Sequence, residues 1–416
     1  MRFVLVNYGT RGDVEPFVAV GQELLRRGHD VRMAVPNDSL GFVESAGLAA
    51  VAYGLDSQEV EVLRRDGWKI QNPMGVLPEV IERVTQGWAE KGTTLMALAD
   101  GADLLLAGHN QQTLAANVAE YHGIPLAALH IFPTQLLDFG WLHWRITKEA
   151  EDAYRRSIGL PETPGPATRS LEIQAYDELC FPGLAAEWAE QGGRRPFVGA
   201  LTLELPTDAD DEVLSWIGAG TPPIYFGFGS MRVTSPADTV AMIGAACTQL
   251  GERALICSGA SDFTQIPQAE HVKVVGAVNH TAVFPACRAI VHHGGTGTTA
   301  ASLRAGIPTL ILWMWIDHPI SAEVVTRLGV GSGRQFSETT QEALVADLRS
   351  IVTPQCVTRA REVATRMTKP AESVTSAADL LRLWQHAGHI SRRYGRHDRR
   401  GLHTVGRAGV DLLRCQ

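Results

Sequence analysis

What this chain of 416 residues lacks narrows its function first. Its six cysteines, at 180, 247, 257, 287, 356 and 415, show no close pairing and no Cys-x-x-Cys. They read as scattered reduced thiols, which makes a cytoplasmic setting the expectation. No uninterrupted apolar run is long enough to span a bilayer. The apolar stretch at residues 3–6 is too short for a signal-peptide core, and Arg11 and Asp13 soon interrupt it with charge, so no leader is expected. A net charge of −8 argues against a nucleic-acid partner. Two common nucleotide loops are missing as well. No lysine follows the last glycine of a glycine-rich turn, as a P-loop requires. No Gly-x-Gly-x-x-Gly fingerprint opens a helix, which disfavours a nicotinamide oxidoreductase.

The residues that are present suit a soluble α/β protein of two domains. The hydrophobic share is 45% and the charged share 20%, both ordinary for that class. The two halves begin alike. Residues 3–7 read as a strand, 8–15 as a polar glycine loop, and 16–27 as a helix with Pro16 at its start and Gly28 after its end. Residues 224–228, 229–235 and 236–250 repeat that order. Further strands are expected at 31–35, 48–53, 104–107 and 126–131, then at 254–257, 272–275, 289–292 and 309–313. They alternate with helical periods, so each half reads as a doubly wound parallel sheet. The polar, proline-bearing stretch 205–211 reads as a linker. The expected division is an N-terminal domain at 1–205, a C-terminal domain at 206–372, a helix at 373–387 packing back on the first domain, and a basic tail at 388–416.

The most informative stretch is His292-His293-Gly294-Gly295-Thr296-Gly297-Thr298-Thr299. It comes after the apolar run Ala289-Ile290-Val291 and precedes a helical segment closed by Gly306. A strand, a glycine turn and a helix N-terminus make an anion site, because backbone N–H groups point outward and the helix dipole adds partial positive charge. Glycines admit a phosphate close to the backbone, and histidine and threonine side chains add donors. Adjacent strand residues face opposite ways, so only one of His292 and His293 can serve such a site.

This motif, taken with others in the same order, resembles the donor-phosphate motif of the UDP-glycosyltransferase superfamily of GT-B fold. Residues 1–16, with Asn7-Tyr8-Gly9-Thr10-Arg11-Gly12-Asp13, resemble that family's opening strand and acceptor loop. Tyr225-Phe226-Gly227-Phe228-Gly229-Ser230 resembles the first strand of its second domain. Val278-Asn279-His280 and Asp317-His318 complete the series. Within the superfamily, the chain is most similar to bacterial enzymes that glycosylate glycopeptide antibiotics and mycobacterial surface glycolipids. The resemblance implies two facing Rossmann-like domains and inverting, metal-independent transfer of a hexose or deoxyhexose. The donor would be a UDP- or dTDP-sugar, with no further cofactor. It makes Asp13 the base for the acceptor hydroxyl, with Thr10 beside it. Asp13 could also cap the helix expected at Pro16, and one loop carboxylate can fill both roles, with the resemblance favouring the base. His293, Gly295, Gly297 and Thr298 would hold the diphosphate, with Ser230 nearby. Val278 would bind the nucleobase through its backbone, and Asp317 and His318 would read the sugar. A GT-B epimerase and a non-catalytic nucleotide-sugar binder remain the rival readings.

Three departures from the family pattern bear on the donor. Gly276-Ala277 stands where many relatives stack a tryptophan on uracil. Ala301 replaces a ribose-binding glutamate, and His318 replaces the glutamine of an Asp-Gln pair. Thymidine lacks the hydroxyl that the missing glutamate would bind, which makes a dTDP-deoxysugar as plausible as UDP-glucose. Asp208 and Asp210 match the Asp-x-Asp metal motif of a different glycosyltransferase fold, but they sit after a proline in the linker, and no metal is expected. Core packing is the default reading of Trp68, Trp88, Phe132, Phe139, Trp141 and Trp144, but they fall in segments that shape the acceptor pocket in this fold, which implies a lipophilic acceptor: a glycolipid, peptidolipid or polyketide. His109, at a strand end, reads either as a contact of Asp13 or as an ordinary packed histidine. Residues 388–416 carry seven arginines against two aspartates, a local +5 that leaves −13 for the rest. A disordered extension is the first reading of that tail. A peripheral contact with anionic lipid at the inner membrane face is the second.

Overall fold

The computed structural model describes residues 1–56, 77–137, 140–162, 170–189, 193–261, 263, 266 and 269–394. Trp68 and Phe139 lie outside them. Chain contacts divide the protein into two units. One holds Met1–Ala175, Pro182–Leu201 and the chain from Pro370; the other holds Tyr176–Phe181 and Thr202–Lys369.

The first unit is built on six strands: β1 (Arg2–Val6), β2 (Asp30–Val35), β3 (Ala49–Ala52), β4 (Leu104–Gly108), β5 (Leu126–His130) and β6 (Leu171–Gln174). All pair in parallel in the order β3-β2-β1-β4-β5-β6. Phe3, Val4, Leu5, Val6, Leu104, Leu105 and Leu106 are all fully buried. Such continuous apolar strands are the mark of a sheet covered on both faces. The last helix, Pro370–Tyr394, belongs to this unit: Arg27 Nη1 donates to Asp379 at 2.6 Å, and the Trp384 indole N–H donates to the Leu126 carbonyl at 3.0 Å. It runs on through residues 388–394, so the segment expected as a tail begins as helix.

The second unit repeats the plan with β7 (Ile224–Gly227), β8 (Ala254–Cys257), β9 (Val272–Val275), β10 (Ala289–His292), β11 (Thr309–Trp313) and β12 (Gly331–Gln335). The order is β12-β11-β10-β7-β8-β9, again all parallel. Both units are therefore doubly wound parallel sheets, as the alternating sequence pattern implies. In each, the strand order reverses beside the first strand, between β1 and β4 and between β7 and β10. Ligands of open α/β sheets bind at such switch points, beyond the carboxyl ends of the strands. Among the described residues no helix is long and apolar enough to cross a membrane.

Two expectations need correction. The first helix spans Arg11–Arg26 and does not start at Pro16, which lies inside it. Thr10 and Asp13 start the helix early by bonding to each other across its first turn. The stretch 205–211 is not wholly a solvated linker. Asp210 opens the helix Asp210–Gly218 and is 8% exposed. Its carboxylate accepts from Thr207 N–H at 2.7 Å, Thr207 Oγ1 at 2.8 Å and Asn279 N–H at 2.8 Å. Burial works to raise its pKa, but these hydrogen bonds hold it below the ordinary range.

Candidate active-site elements

In the first unit the loop after β1 is organised around Asp13. Thr10 N–H donates to its Oδ2 at 2.7 Å and Thr10 Oγ1 to the same oxygen at 3.1 Å. Oδ1 has no hydrogen-bond partner among the described residues. The side chain is partly buried. One carboxylate oxygen is thus fixed by the helix start while the other stays available. Gly9 makes the approach possible. Its φ is +148°, and a Cβ there would fall 2.3 Å from Asp13 Oδ2.

Asn7, absent from the candidates that the sequence suggests, anchors this loop. It is 2% exposed. Its amide donates to the Asp13 carbonyl, and its Oδ1 accepts from Tyr8 N–H at 2.9 Å. Its place at the end of a buried strand was the available signal. The loop after β4 ties in through Asn110, whose amide donates to the Tyr8 carbonyl at 2.6 Å. His109 rests edge-on against Phe132, ring centroids 5.0 Å apart. Phe132 is buried. At the end of β5, burial pushes His130 down to about 4, and it contacts the Gln112 amide at 3.3 Å. Trp88 packs edge-on against Tyr154, and Trp144 is 66% exposed. Trp141 falls at the start of the helix Gly140–Ser157, with its side chain outside the described part.

In the second unit the 292–299 stretch is the strand–turn–helix that its sequence implies. β10 ends at His292, and the helix Thr296–Ala305 has Gly295 as N-cap. The helical ladder first closes at Thr299 N–H to the Gly295 carbonyl, 2.9 Å. The N–H groups of Thr296, Gly297 and Thr298 precede that bond, the position of unpaired donors at a helix start. Gly297 is exposed and Thr298 partly so. The Thr299 hydroxyl is turned back to the Gly295 carbonyl.

The two histidine rings stand edge-on, centroids 6.0 Å apart, but differ in their surroundings. His292 is fully buried and its Nδ1 accepts Gly294 N–H at 3.1 Å. His293 is 8% exposed, and its Nδ1 is buried without a hydrogen-bond partner among the described residues. The His293 ring is wedged between glycines: a Cβ on Gly229 would fall 2.6 Å from its Cε1, and one on Gly295 2.5 Å from its Nε2. Its other wall is His318, ring centroids 5.0 Å apart. Burial pushes His293 down to about 3 and His318 to about 4, so both rings are neutral at pH 7. His318 Nδ1 accepts from Trp315 N–H at 3.2 Å and Met314 N–H at 3.4 Å, which places its proton on Nε2. Asp317 is the N-cap residue of the helix His318–Arg327 and is partly buried. Ser230 comes directly after Gly229 and is partly buried.

The 278–280 motif is bound into the framework. Val278 is 8% exposed and packs with Tyr225, Leu255 and Ile290. Asn279 caps the next turn by accepting Thr281 N–H at 3.1 Å. His280 stacks on Phe284 at 4.4 Å. Ala301 packs on the same core as Val278.

Comparisons with known proteins agree with this architecture. Residues 3–95 match the glycosyltransferase family 28 N-terminal domain, and residues 253–380 match the erythromycin biosynthesis protein CIII-like C-terminal domain. An uncharacterized glycosyltransferase of Mycobacterium tuberculosis is 61% identical over 409 residues, covering 92% of this chain and 98% of the relative. The crystal structure of glycosyltransferase SnogD from Streptomyces nogalater superposes with a TM-score of 0.66 at 21% identity, over 91% of this chain and 99% of that one. The Streptomyces sp. SF2575 glycosyltransferase SsfS6, complexed with thymidine diphosphate, gives 0.62 at 22% identity, over 91% and 99%.

Proposed function

The chain belongs to the glycosyltransferases, as a family 28 N-terminal domain followed by a CIII-like C-terminal domain on a two-domain GT-B fold, and from that premise we propose its reaction. It moves a hexose or deoxyhexose from a UDP- or dTDP-sugar to a hydroxyl of a lipophilic acceptor, by single displacement with inversion and without a metal. The observation that carries this reading is the Asp13 carboxylate, with Oδ2 anchored by Thr10 and Oδ1 open. In the proposed step Oδ1 takes the acceptor proton. The acceptor oxygen bonds to the anomeric carbon, and the bond from that carbon to the diphosphate breaks with its electron pair.

The leaving diphosphate is the role we assign to the second unit. Backbone N–H groups at Thr296, Gly297 and Thr298, the helix dipole and the His293 ring would meet its charge, and Ser230 adds a hydroxyl. Val278 borders the nucleobase through its backbone. A thymidine donor is favoured by Ala301, which offers no acceptor to a ribose hydroxyl, and by the thymidine diphosphate bound to SsfS6. His109, Phe132 and Trp141 are assigned to the acceptor side. Incubation with dTDP- and UDP-sugars in EDTA tests the mechanism, with product configuration read by NMR. Inverted product formed in EDTA is expected; retention at the anomeric carbon would refute single displacement.

The sugar itself we assign to Asp317 and His318. A carboxylate accepts from two neighbouring hydroxyls, so Asp317→Ala is expected to cost about 1–3 kcal/mol of transition-state stabilisation. With Nδ1 already accepting two backbone N–H groups, His318 has only its Nε2–H to offer a sugar. His318→Gln restores a longer amide and is expected to shift preference toward UDP-glucose. Competition kinetics with paired donors decide it: an unchanged donor ranking in both variants means the sugar is read elsewhere.

A further inference from the structure

The helix Leu77–Ala99 turns one face toward the loop after β1, and that face carries an unusual cation. Trp88, Lys91, Gly92 and Leu95 fall on it at helical spacing. Trp88 and Gly92 meet Tyr154, and Leu95 is fully buried. Lys91 sets its ammonium over the Tyr8 ring, 5.0 Å from the centroid. Both side chains crowd Gly54, where an added Cβ would lie 2.6 Å from Tyr8 Cε2 and 3.3 Å from Lys91 Cδ.

Lys148 and Lys273 each meet a carboxylate, Asp152 and Glu212 respectively. Lys91 has neither an ion pair nor a hydrogen bond among the described residues. Burial alone draws its pKa down to about 8, with no anion to offset it. A second donor stands nearby without a hydrogen-bond partner among the described residues: the buried Tyr154 hydroxyl, against Gly92. Tyr8 itself lies between Asn7 and Gly9, in the segment that holds Asp13. A desolvated ammonium costs free energy unless an anion meets it. Cation–π contact with one tyrosine recovers only part of that cost.

We infer that Lys91 is the anion subsite of the acceptor region, taking a carboxylate or phosphate group of an amphiphilic acceptor whose apolar part lies along Trp88 and Tyr8. The inference rests on the reading that the first unit takes the acceptor. It narrows the acceptor class from lipophilic to lipophilic with one negative charge. It also gives Tyr8 a role: its ring holds the ammonium in place before the anion arrives.

The test is binding without donor, so that it does not depend on turnover. Octyl phosphate, octanoate and octanol are titrated into the full chain by calorimetry, and dTDP is titrated separately as a check on the second unit. The wild type is expected to bind the two anions at least about tenfold more tightly than octanol, the size of one charge-assisted hydrogen bond. Lys91→Met keeps length and apolar character, and is expected to erase that preference while leaving octanol and dTDP binding unchanged. Lys91→Arg is expected to restore it. If phosphate is favoured and octanoate is not, the source is a phosphate ester; the converse assigns a carboxylate. Equal binding of all three amphiphiles by the wild type, or an intact preference in Lys91→Met, overturns the proposal. Loss of dTDP binding in the wild type would instead count against the donor reading, whatever the amphiphiles do.

Discussion

Asp13→Asn is expected to lower turnover by about 10²–10⁴-fold, the span of a lost general base, with thymidine diphosphate affinity unchanged. Asn keeps an oxygen that can accept Thr10 N–H, so the helix start at Arg11 survives. Asp13→Ala removes that acceptor as well and adds a stability cost of about 1 kcal/mol, typical of a lost cap. The pair of variants separates the two roles that one carboxylate fills here. Turnover, nucleotide affinity and melting temperature are measured on both. Near wild-type turnover in Asp13→Asn would reduce Asp13 to a helix cap.

The second large effect divides the adjacent histidines. His293→Ala is expected to weaken thymidine diphosphate binding by about 1–3 kcal/mol, the cost of one lost donor to an anion, and to slow transfer. Its ring sits against Gly229 and Gly295 with an unpartnered Nδ1, so removing it opens space at the helix start and disturbs little core. His292→Ala removes a fully buried ring and the acceptor of Gly294 N–H. It is expected to cost about 2–4 kcal/mol of stability, a cavity plus a lost hydrogen bond, with nucleotide affinity near wild type. Calorimetry and thermal melts on both variants decide the matter. The opposite pattern would place the ligand on the other face of β10.

How far the sequence alone disclosed this molecule depends on where each element lies. β8, β9, β10 and β11 fall where they are expected, because each is a short apolar run bounded by glycine, proline or polar residues. Two of the four edge strands, β6 and β12, escaped. β12 reads Gly331-Ser332-Gly333-Arg334-Gln335, with almost no strand propensity. Glycine is required there: a Cβ on Gly331 would fall 1.8 Å from the Thr309 carbonyl oxygen. β6, the other missed strand, also lies at an edge.

The first helix escaped in its start, since the preference for proline at a first turn was weaker than the Thr10–Asp13 pair. The strand–turn–helix around residues 289–305 was legible because strand, glycines and helix N-terminus are contiguous in sequence. The contacts that hold them, Gly229 on His293 and the Met314 and Trp315 amides on His318, join residues far apart in the chain or turned back on themselves. Lys91 was invisible for the same reason. Nothing local marks a lysine whose neighbour is Tyr8, eighty-three positions away.

A transferase releases its nucleotide only when an acceptor takes the sugar, whereas an epimerase or a passive binder needs none. A matrix of dTDP- and UDP-sugars against lipopeptide and phenolic lipid aglycones, read by mass spectrometry, measures glycoside and nucleoside diphosphate together. The expected result is one nucleoside diphosphate released for each glycoside formed, only when an acceptor is present and only with Asp13 intact. Interconversion of the nucleotide sugar with no acceptor present would contradict it.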